Sequence, residues 1–512
     1  MALPGANDRR ELWDRLREAT LQASEPTGFA LEHFHASDPT VPDRFHARLA
    51  GYLTGFVPDP RSLSEPHGLR DHPGTAPTAR WLRHCAVQAL DGVHHGADDR
   101  WLAVTTGAHD HIGLGDRAPV LGAQYASLLR GPTAAEAGGD WLGEMAEHAV
   151  LAHYSGSGAD PLMHQPASVS RVALGGLVPD DARHLTLDAA CASGLYVLDA
   201  AVKALREGTC DVALAGGTSV AEPTLLTLFC KAQGITPSGR VRPFDRDADG
   251  TLLAEGAVAL VLKTHAKAVA DGDEILGLVL GTGLSADGRG KGIHAPAERG
   301  QELAISRAWA DAGVGPDDLD WIVAHGTGTP TGDEVEARAL LARLGESRRT
   351  CLLTSNKQVF GHTGVLAGLV SVAHALTAIE HGSIPAQTDR IAPHALLEGE
   401  ERLRVPVADV GWRPTDRPRI VGVSSFGLGG ADAHAVLADR VPTRRPARVP
   451  PRTSSSSAGT RTCPAPTATR PLPGWRAPGP APRQASATRT PSRRRARCGS
   501  RRAPPRTWTR AT

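Results

Sequence analysis

Between about residues 183 and 439, short apolar runs ending in small or polar residues alternate with stretches whose apolar positions recur at helical spacing. HLTLDAA (184–190) reads as a short strand, and CASGLYVLDAAVKALREG (191–208) as a helix closed by Gly208. DVALAGG (211–217), VALVLK (258–263), DWIVAHG (320–326), CLLTSN (351–356) and IVGVSSFG (420–427) read as further buried strands, with helices between them. This alternation predicts an α/β fold whose chemistry lies at the strand ends. There is no short repeat, but in both halves a strand is followed by a helix bearing a reactive side chain. Nearer the amino end, RRELWDRLREAT (9–20) reads as a helix and WLAVTTG (101–107) as a strand. Pro- and His-rich stretches leave the rest of the first 180 residues unassigned.

Composition adds limits rather than identity. Hydrophobic residues make up 41%, charged residues 22% and aromatics only 4%, so the core must rest on Val, Leu and Ala. No apolar run reads as approaching the roughly 18 residues needed to span a bilayer. MALPGANDRRELWDRL lacks a signal-peptide apolar stretch, so a cytoplasmic protein without a membrane partner is expected. The seven cysteines, Cys85, Cys191, Cys210, Cys230, Cys351, Cys463 and Cys498, form no CxxC pair and give neither a zinc ribbon nor a disulfide framework. His94 with His95, and His109 with His111, lack a third ligand at metal-site spacing and read as loop or surface histidines.

The net charge of +1 hides two different polymers. Residues 441–512 contain 17 Arg, no Lys and no acidic residue, leaving 39 basic against 55 acidic residues ahead of them, a net of −16. With so few aliphatic side chains the tail cannot bury enough apolar area to offset its ordering entropy, so it is expected to be disordered. A basic tail can bind nucleic acid, but its sudden start and lack of Lys, Asp and Glu point instead to GC-rich coding sequence read out of frame. No nucleic-acid partner is expected. The domain division is therefore 1–440 and 441–512.

Three segments carry candidate chemistry. In DAACASG (188–194), Cys191 falls where a strand turns into a helix, near free N–H groups and the positive helix end, which favour thiolate. A lone cysteine is more often a buried apolar side chain, and Cys210 and Cys230 are read that way. In AHGTGTPTGD (324–333), His325 follows an apolar strand, the glycines permit close backbone approach, and the threonine hydroxyls suit an extended polar ligand. In SNKQVFGHTG (355–364), Lys357 precedes His362 by five residues, and His362 is read as opening a long apolar helix that biases its imidazole toward neutrality. Each histidine alone reads as structural; a Cys at one strand end and a His at two others do not.

In this order, the three segments resemble the Cys–His–His site of the β-ketoacyl synthases of polyketide and fatty-acid synthesis. LAGGTS (214–219), RVRPFDRDADGTLLAEGAVALVLK (240–263) and SSFGLGGADAHAVL (424–437) support the resemblance, which is strong over about residues 168–438; LPGANDRRELW (3–13) also fits. The resemblance implies a thiolase-like fold, two similar α/β halves in five α-β-α-β-α layers, and a homodimer. It implies that Cys191 takes an acyl chain from an acyl-carrier-protein thioester, with the N–H groups of Cys191 and Leu428 as oxyanion hole. His325 and His362 then stabilise the enolate formed from a malonyl-type extender, Lys357 supports His362, and Thr327, Thr329 and Phe426 contact the substrate. No tightly bound cofactor or metal is implied, only the phosphopantetheine carried by the acyl carrier protein, and other synthase domains are possible neighbours. HLTLDAACASGLY, TPSGRVRPFDRDADG, LSADGRGKG (284–292) and ASDPTVPDRFHARLAGYL (36–53) look most like iterative multidomain synthases of the polyunsaturated-fatty-acid, enediyne and heterocyst-glycolipid kinds.

The pattern has three departures. No VAIVGM-type strand precedes LPGA, Gly364 stands where Glu is frequent, and Asp432 stands where Asn usually precedes Ala-His. The first, with the anomalous tail, motivates one alternative to an active condensing enzyme, an impaired fragment or scaffold; a cysteine-dependent thioester hydrolase, which also wants Cys and His, is the other. The hydrolase would want one histidine with an Asn or Asp orienter and accounts poorly for two.

Overall fold

The computed structural model describes residues 1–63, 76–107, 165–290, 292, 295–387 and 392–442. His109 and His111, Cys463 and Cys498, and nearly all of the predicted tail lie outside the described residues.

A four-stranded sheet contains β1 (Trp101–Gly107), β2 (Arg183–Thr186), β3 (Val212–Ser219) and β4 (Gly256–Leu262), in the order β2-β1-β3-β4. The first three strands are parallel and β4 runs antiparallel to β3. The second sheet contains β5 (Leu278–Ala286), β6 (Trp321–Val323) and β7 (Cys351–Thr354). Beyond a short strand β8 (Ser383–Ile384) it continues with β9 (Leu403–Arg404), and after β10 (Val410–Gly411), which pairs with β8, come β11 (Ile420–Gly427) and β12 (Ala431–Ala438). Its order is β5-β12-β11-β6-β7-β9, with β12 antiparallel to both neighbours. Outside these strands, Ala2 bridges to Ala257 at the start of β4.

The helices in chain order are α1 (Arg9–Glu18), α2 (Pro77–Leu90), α3 (Pro166–Leu174), α4 (Ser193–Arg206), α5 (Pro223–Lys231) and α6 (His265–Asp271). They continue with α7 (Glu298–Ala312), α8 (Pro330–Leu344), the single turn α9 (Lys357–Phe360) and α10 (Ala367–His381). Helices α4 and α10 pack on each other and face one sheet each, through buried residues such as Leu195, Leu198, Leu369 and Val370. Helices α2 and α3 cover the far side of the first sheet, and α7 and α8 the far side of the second. The result is the expected five-layered α-β-α-β-α order, with a shared apolar layer of two helices at its centre.

Two expectations change. The stretch Gly364–His381 does have the length and composition of a membrane span, with mean hydropathy 1.3 over 18 residues. It is apolar because α10 lies between two sheets and needs no polar face, and 72% of it is buried inside the protein. His362 does not open that helix: a separate 3-10 turn, Gly364–Leu366, stands between it and α10.

Candidate active site

Cys191 sits on a tight turn between β2 and α4. Asp188 Oδ1 accepts the Ala190 N–H at 2.9 Å, and Ser193 Oγ accepts the Ala189 N–H at 2.7 Å while donating to Ala190 O at 2.6 Å. These bonds hold Ala190 at φ 49°, the left-handed region, which costs a non-glycine residue roughly 1–2 kcal/mol. The strain turns Cys191 toward the cavity while its backbone is tied to the second sheet. Ser425 Oγ donates to the Cys191 carbonyl at 2.7 Å. The end of β11 can come this near only as glycine, since a Cβ on Gly427 would lie 2.5 Å from Ala189 O.

The Cys191 side chain is buried, 7% exposed, and burial pushes its thiol above the ordinary value. The Leu428 N–H and the Lys357 charge pull the other way without overcoming that burial. The expected lowering by the helix end is therefore corrected. A sulfur buried this deeply loses more solvation on ionising than one N–H and a nearby ammonium return.

His325 follows β6, and α8 fixes its backbone. Glu336 accepts the N–H groups of His325 at 2.8 Å and Gly326 at 2.7 Å; Asp333, one turn earlier, accepts those of Phe244 at 2.7 Å and Gly328 at 3.1 Å. The two acids are buried at 1% exposure each, and burial pushes both carboxyls up to about 7. His362 is held differently: its N–H donates to Leu252 O at 2.6 Å and its carbonyl accepts from the Ala254 N–H at 2.9 Å, a strand-like seam against residues 252–254.

The two imidazoles meet edge to face, ring centroids 5.3 Å apart at 84°, and Phe426 packs against His325 at 5.8 Å. Both histidines are driven well below the usual imidazole range, His362 to about 3, first by burial and then by the Lys357 charge. Each ring is thus neutral near pH 7, with one N–H to donate. The neutrality expected of His362 holds, but burial rather than a helix start causes it. Lys357 is 1% exposed; burial lowers it to about 8 even though Glu336, Cys191 and Asp333 favour its charge.

Cys191, His325, His362, Thr327, Thr329 and Phe426 all line one cavity of about 580 Å³. Leu428 also lines it, at the turn between β11 and β12. The threonine hydroxyls of Thr327 and Thr329 lie 2.8 Å apart on the same wall. Thus all of the site residues singled out in the sequence except Lys357 border this cavity, and Lys357 lies buried behind it, close enough for its charge to act on Cys191 and both histidines. Cys210 and Cys230 are buried elsewhere, Cys210 in the core beside β3 and Cys230 on α5. His94 is an exposed residue paired with Asp273 at 3.3 Å. Among the described residues no cluster of His, Cys, Asp and Glu forms a metal site. Asp333, Glu336 and Ser425 were not singled out in the sequence. For the two acids the one signal is their i, i+3 spacing, beginning four residues after the Gly-Thr-Gly-Thr segment ends.

The five-layered fold is that of the thiolase-like ketosynthase domains. The family model described as the β-ketoacyl synthase N-terminal domain matches residues 181–268, and that of the C-terminal domain matches residues 276–389. The chain belongs to the β-ketoacyl synthase family. It is 39% identical over 268 residues to erythronolide synthase EryA2 of Saccharopolyspora erythraea, covering 52% of this chain and 8% of that protein. With erythronolide synthase EryA3 of the same organism it shares 33% over 355 residues, 68% of this chain and 11% of that protein. The chain thus spans about a tenth of the length of these curated relatives. Among solved structures it is similar to the oxazolomycin ketosynthase domain OzmH KS7 of Streptomyces albus, at 27% identity and TM-score 0.70, covering 86% of this chain and 74% of that one. The ishigamide ketosynthase/chain length factor gives 26% identity and TM-score 0.66 over 86% and 97% of the two chains.

Proposed function

We propose that this chain catalyses decarboxylative Claisen condensation of an acyl thioester with a malonyl thioester, in polyketide or fatty-acid synthesis. The observation that carries the reading is one cavity walled by Cys191, His325 and His362, all three neutral at rest.

In the loading step the Cys191 sulfur attacks the acyl thioester carbonyl. The carrier C–S bond breaks, and the thiol proton leaves with the carrier thiol. The N–H groups of Cys191 and Leu428 receive the oxyanion, the Leu428 N–H already pointing at the sulfur. A malonyl thioester then enters with its carbonyl between the two imidazoles. Its C–C bond to the carboxylate breaks, carbon dioxide leaves, and the electron pair stays as an enolate whose oxygen accepts from His325 and His362. That carbanion attacks the acyl-Cys191 carbonyl, and the sulfur departs as thiolate and regains a proton. Burial, reinforced by the Lys357 charge, keeps both imidazoles unprotonated, and the same charge steadies the thiolate. Loss of carbon dioxide drives the condensation, so no tightly bound cofactor is required.

Thr327 and Thr329, on the cavity wall, suit the amide groups of a phosphopantetheine arm, and with it an acyl carrier protein as donor. A homodimer, further synthase domains as neighbours and a cytoplasmic setting belong to the same proposal. Incubation of the purified chain with an acyl thioester and then a malonyl thioester tests the reading: acyl-Cys191 followed by a β-ketoacyl product supports it. Hydrolysis without condensation favours a thioester hydrolase, and absence of labelling an inactive scaffold.

A further inference from the structure

The loop after β5 meets the turn between β11 and β12 through two acids. Asp432, on β12, is 2% exposed, and its Oδ2 has no hydrogen-bond donor; Asp287, one residue past β5, has a buried Oδ1 in the same condition. Both oxygens point at Gly300 near the start of α7, lying 2.4 Å and 2.1 Å from the position a Cβ on Gly300 would occupy. Two acceptor oxygens left unpaired in one buried place cost about 1–3 kcal/mol each, and a single proton between them satisfies both.

We propose that Asp287 and Asp432 share one proton, and that this acid pair is a latch holding the Gly427–Gly430 turn, and with it the Leu428 N–H, over Cys191. The inference rests on the condensing reading for what the latch serves, but not for its existence.

Three further contacts place the latch at the junction of three elements. The Asp287 N–H donates to Gly430 O at 2.9 Å, the Asp287 carboxyl accepts from the Ala297 N–H at the start of α7, and Ser285 Oγ donates to Gly300 O at 2.6 Å. Asp287 therefore joins β5, α7 and the turn, while Asp432 lies on the strand that leaves the turn. Both acids line the cavity that holds Cys191. Losing the shared proton leaves two negative charges face to face in a buried setting, and separation of the loop from the turn is the relief available to them.

The charged and titratable neighbours do not offset that repulsion. Among the described residues no lysine or arginine pairs with either acid. From α4 the facing group is Tyr196, whose hydroxyl donates to Ser285 O at 3.2 Å and whose ionisation burial pushes further up. Asp199, also on α4, is engaged by Lys203 and Thr282. On β12 itself His434 is held by Ser424 and Trp309 and kept neutral by burial. Burial raises both acids, and the neighbouring Asp287 adds to it at Asp432, which is pushed up to about 8, so the shared proton is retained at neutral pH.

The test is hydrogen exchange of the peptide covering residues 427–432, corrected for intrinsic exchange, between pH 6 and 9 on the full chain, beside acyl loading of Cys191. In the wild type, corrected exchange should rise about tenfold per pH unit once the pair ionises, the slope for losing one proton, and loading should fall in parallel. In Asp432→Asn the amide donates permanently to Asp287, so both changes should vanish. Asp287→Asn should do the same from the other side and serves if the first variant does not fold. A wild-type peptide without the extra rise, or variants that retain it, overturns the latch. A rise in exchange with no loading at any pH leaves the latch standing and overturns the condensing reading instead.

Discussion

Ser425 Oγ donates a 2.7 Å hydrogen bond to the carbonyl of Cys191, joining the last strand pair of the second sheet to the turn that follows the first. Both residues are buried, Ser425 completely, so the bond is made without competition from water. Ser425→Ala leaves the carbonyl without that donor, which should cost about 1–3 kcal/mol of stability. Acyl loading should fall more than the loss of folded protein accounts for, because the Cys191 sulfur loses its fixed bearing on the Leu428 N–H. Loading rates normalised to folded fraction, read from a denaturant melt of the same sample, provide the check.

Substitution of the nucleophile separates one cysteine from the others. Cys191→Ala should abolish acyl loading, whereas Cys210→Ala and Cys230→Ala should leave it largely intact, since neither borders the cavity. Intact-mass analysis after incubation with an acyl thioester reads the result directly. A Cys191→Ala protein that still gains the acyl mass would place the nucleophile elsewhere.

The two histidines differ from Cys191 in the half-reaction they serve. Removing either His325 or His362 as Ala should slow malonyl decarboxylation by about a hundredfold or more, the usual loss for one donor to a developing oxyanion. Self-acylation should suffer less, because the Leu428 and Cys191 N–H groups remain. Carbon dioxide release and acyl labelling measured on one preparation distinguish this from an equal loss in both.

Acid should destabilise the protein earlier than its carboxylates alone require. His362, His374 and His434 are each held near 3 by burial, and His325 is also lowered. The unfolded chain takes up these protons from about 6.5 downward while the folded chain does not, so stability falls as pH drops from there toward 3. At pH 5 each such histidine costs about 2 kcal/mol. His374 packs edge-on against Trp321 and neither of its ring nitrogens has a partner. His374→Leu should therefore blunt the fall in Tm between pH 7 and 5 without touching the cavity. An unchanged slope in that variant counts against the assignment.

The strands that could be read from the sequence are those whose burial makes them continuously apolar. IVGVSSFG agrees with β11 to the residue and WLAVTTG with β1, because both are interior strands whose neighbours cover them on each side. β12 was not legible, since ADAHAVLA carries an acid and a histidine in its first half. Burial of Asp432 and His434 is tolerated only through partners brought from β5, β11 and α7. β5 was hidden by Gly281 and Gly283, which break the pattern of a strand. In three dimensions they let α7 lie on it: a Cβ at either position would come within 2.3 Å of that helix backbone.

The site divides in the same way. Cys191, His325 and His362 are legible because each closes a recognisable apolar strand or precedes an apolar helix. Glu336 and Asp333 are not, since two acids on a helix read as a solvated face. Only the fold shows that this face is turned inward to bind the four N–H groups around the His325 loop.

The central layer has a thermodynamic consequence. Helix α4 begins beside the nucleophile and α10 follows the second histidine, and each covers one sheet while resting on the other. Each sheet's inner face is covered by the helix of its own half, and that helix buries its other side against the helix of the opposite half. The gene could be divided between the halves, yet the folded product could not, and calorimetry should record one cooperative heat-absorption peak for both.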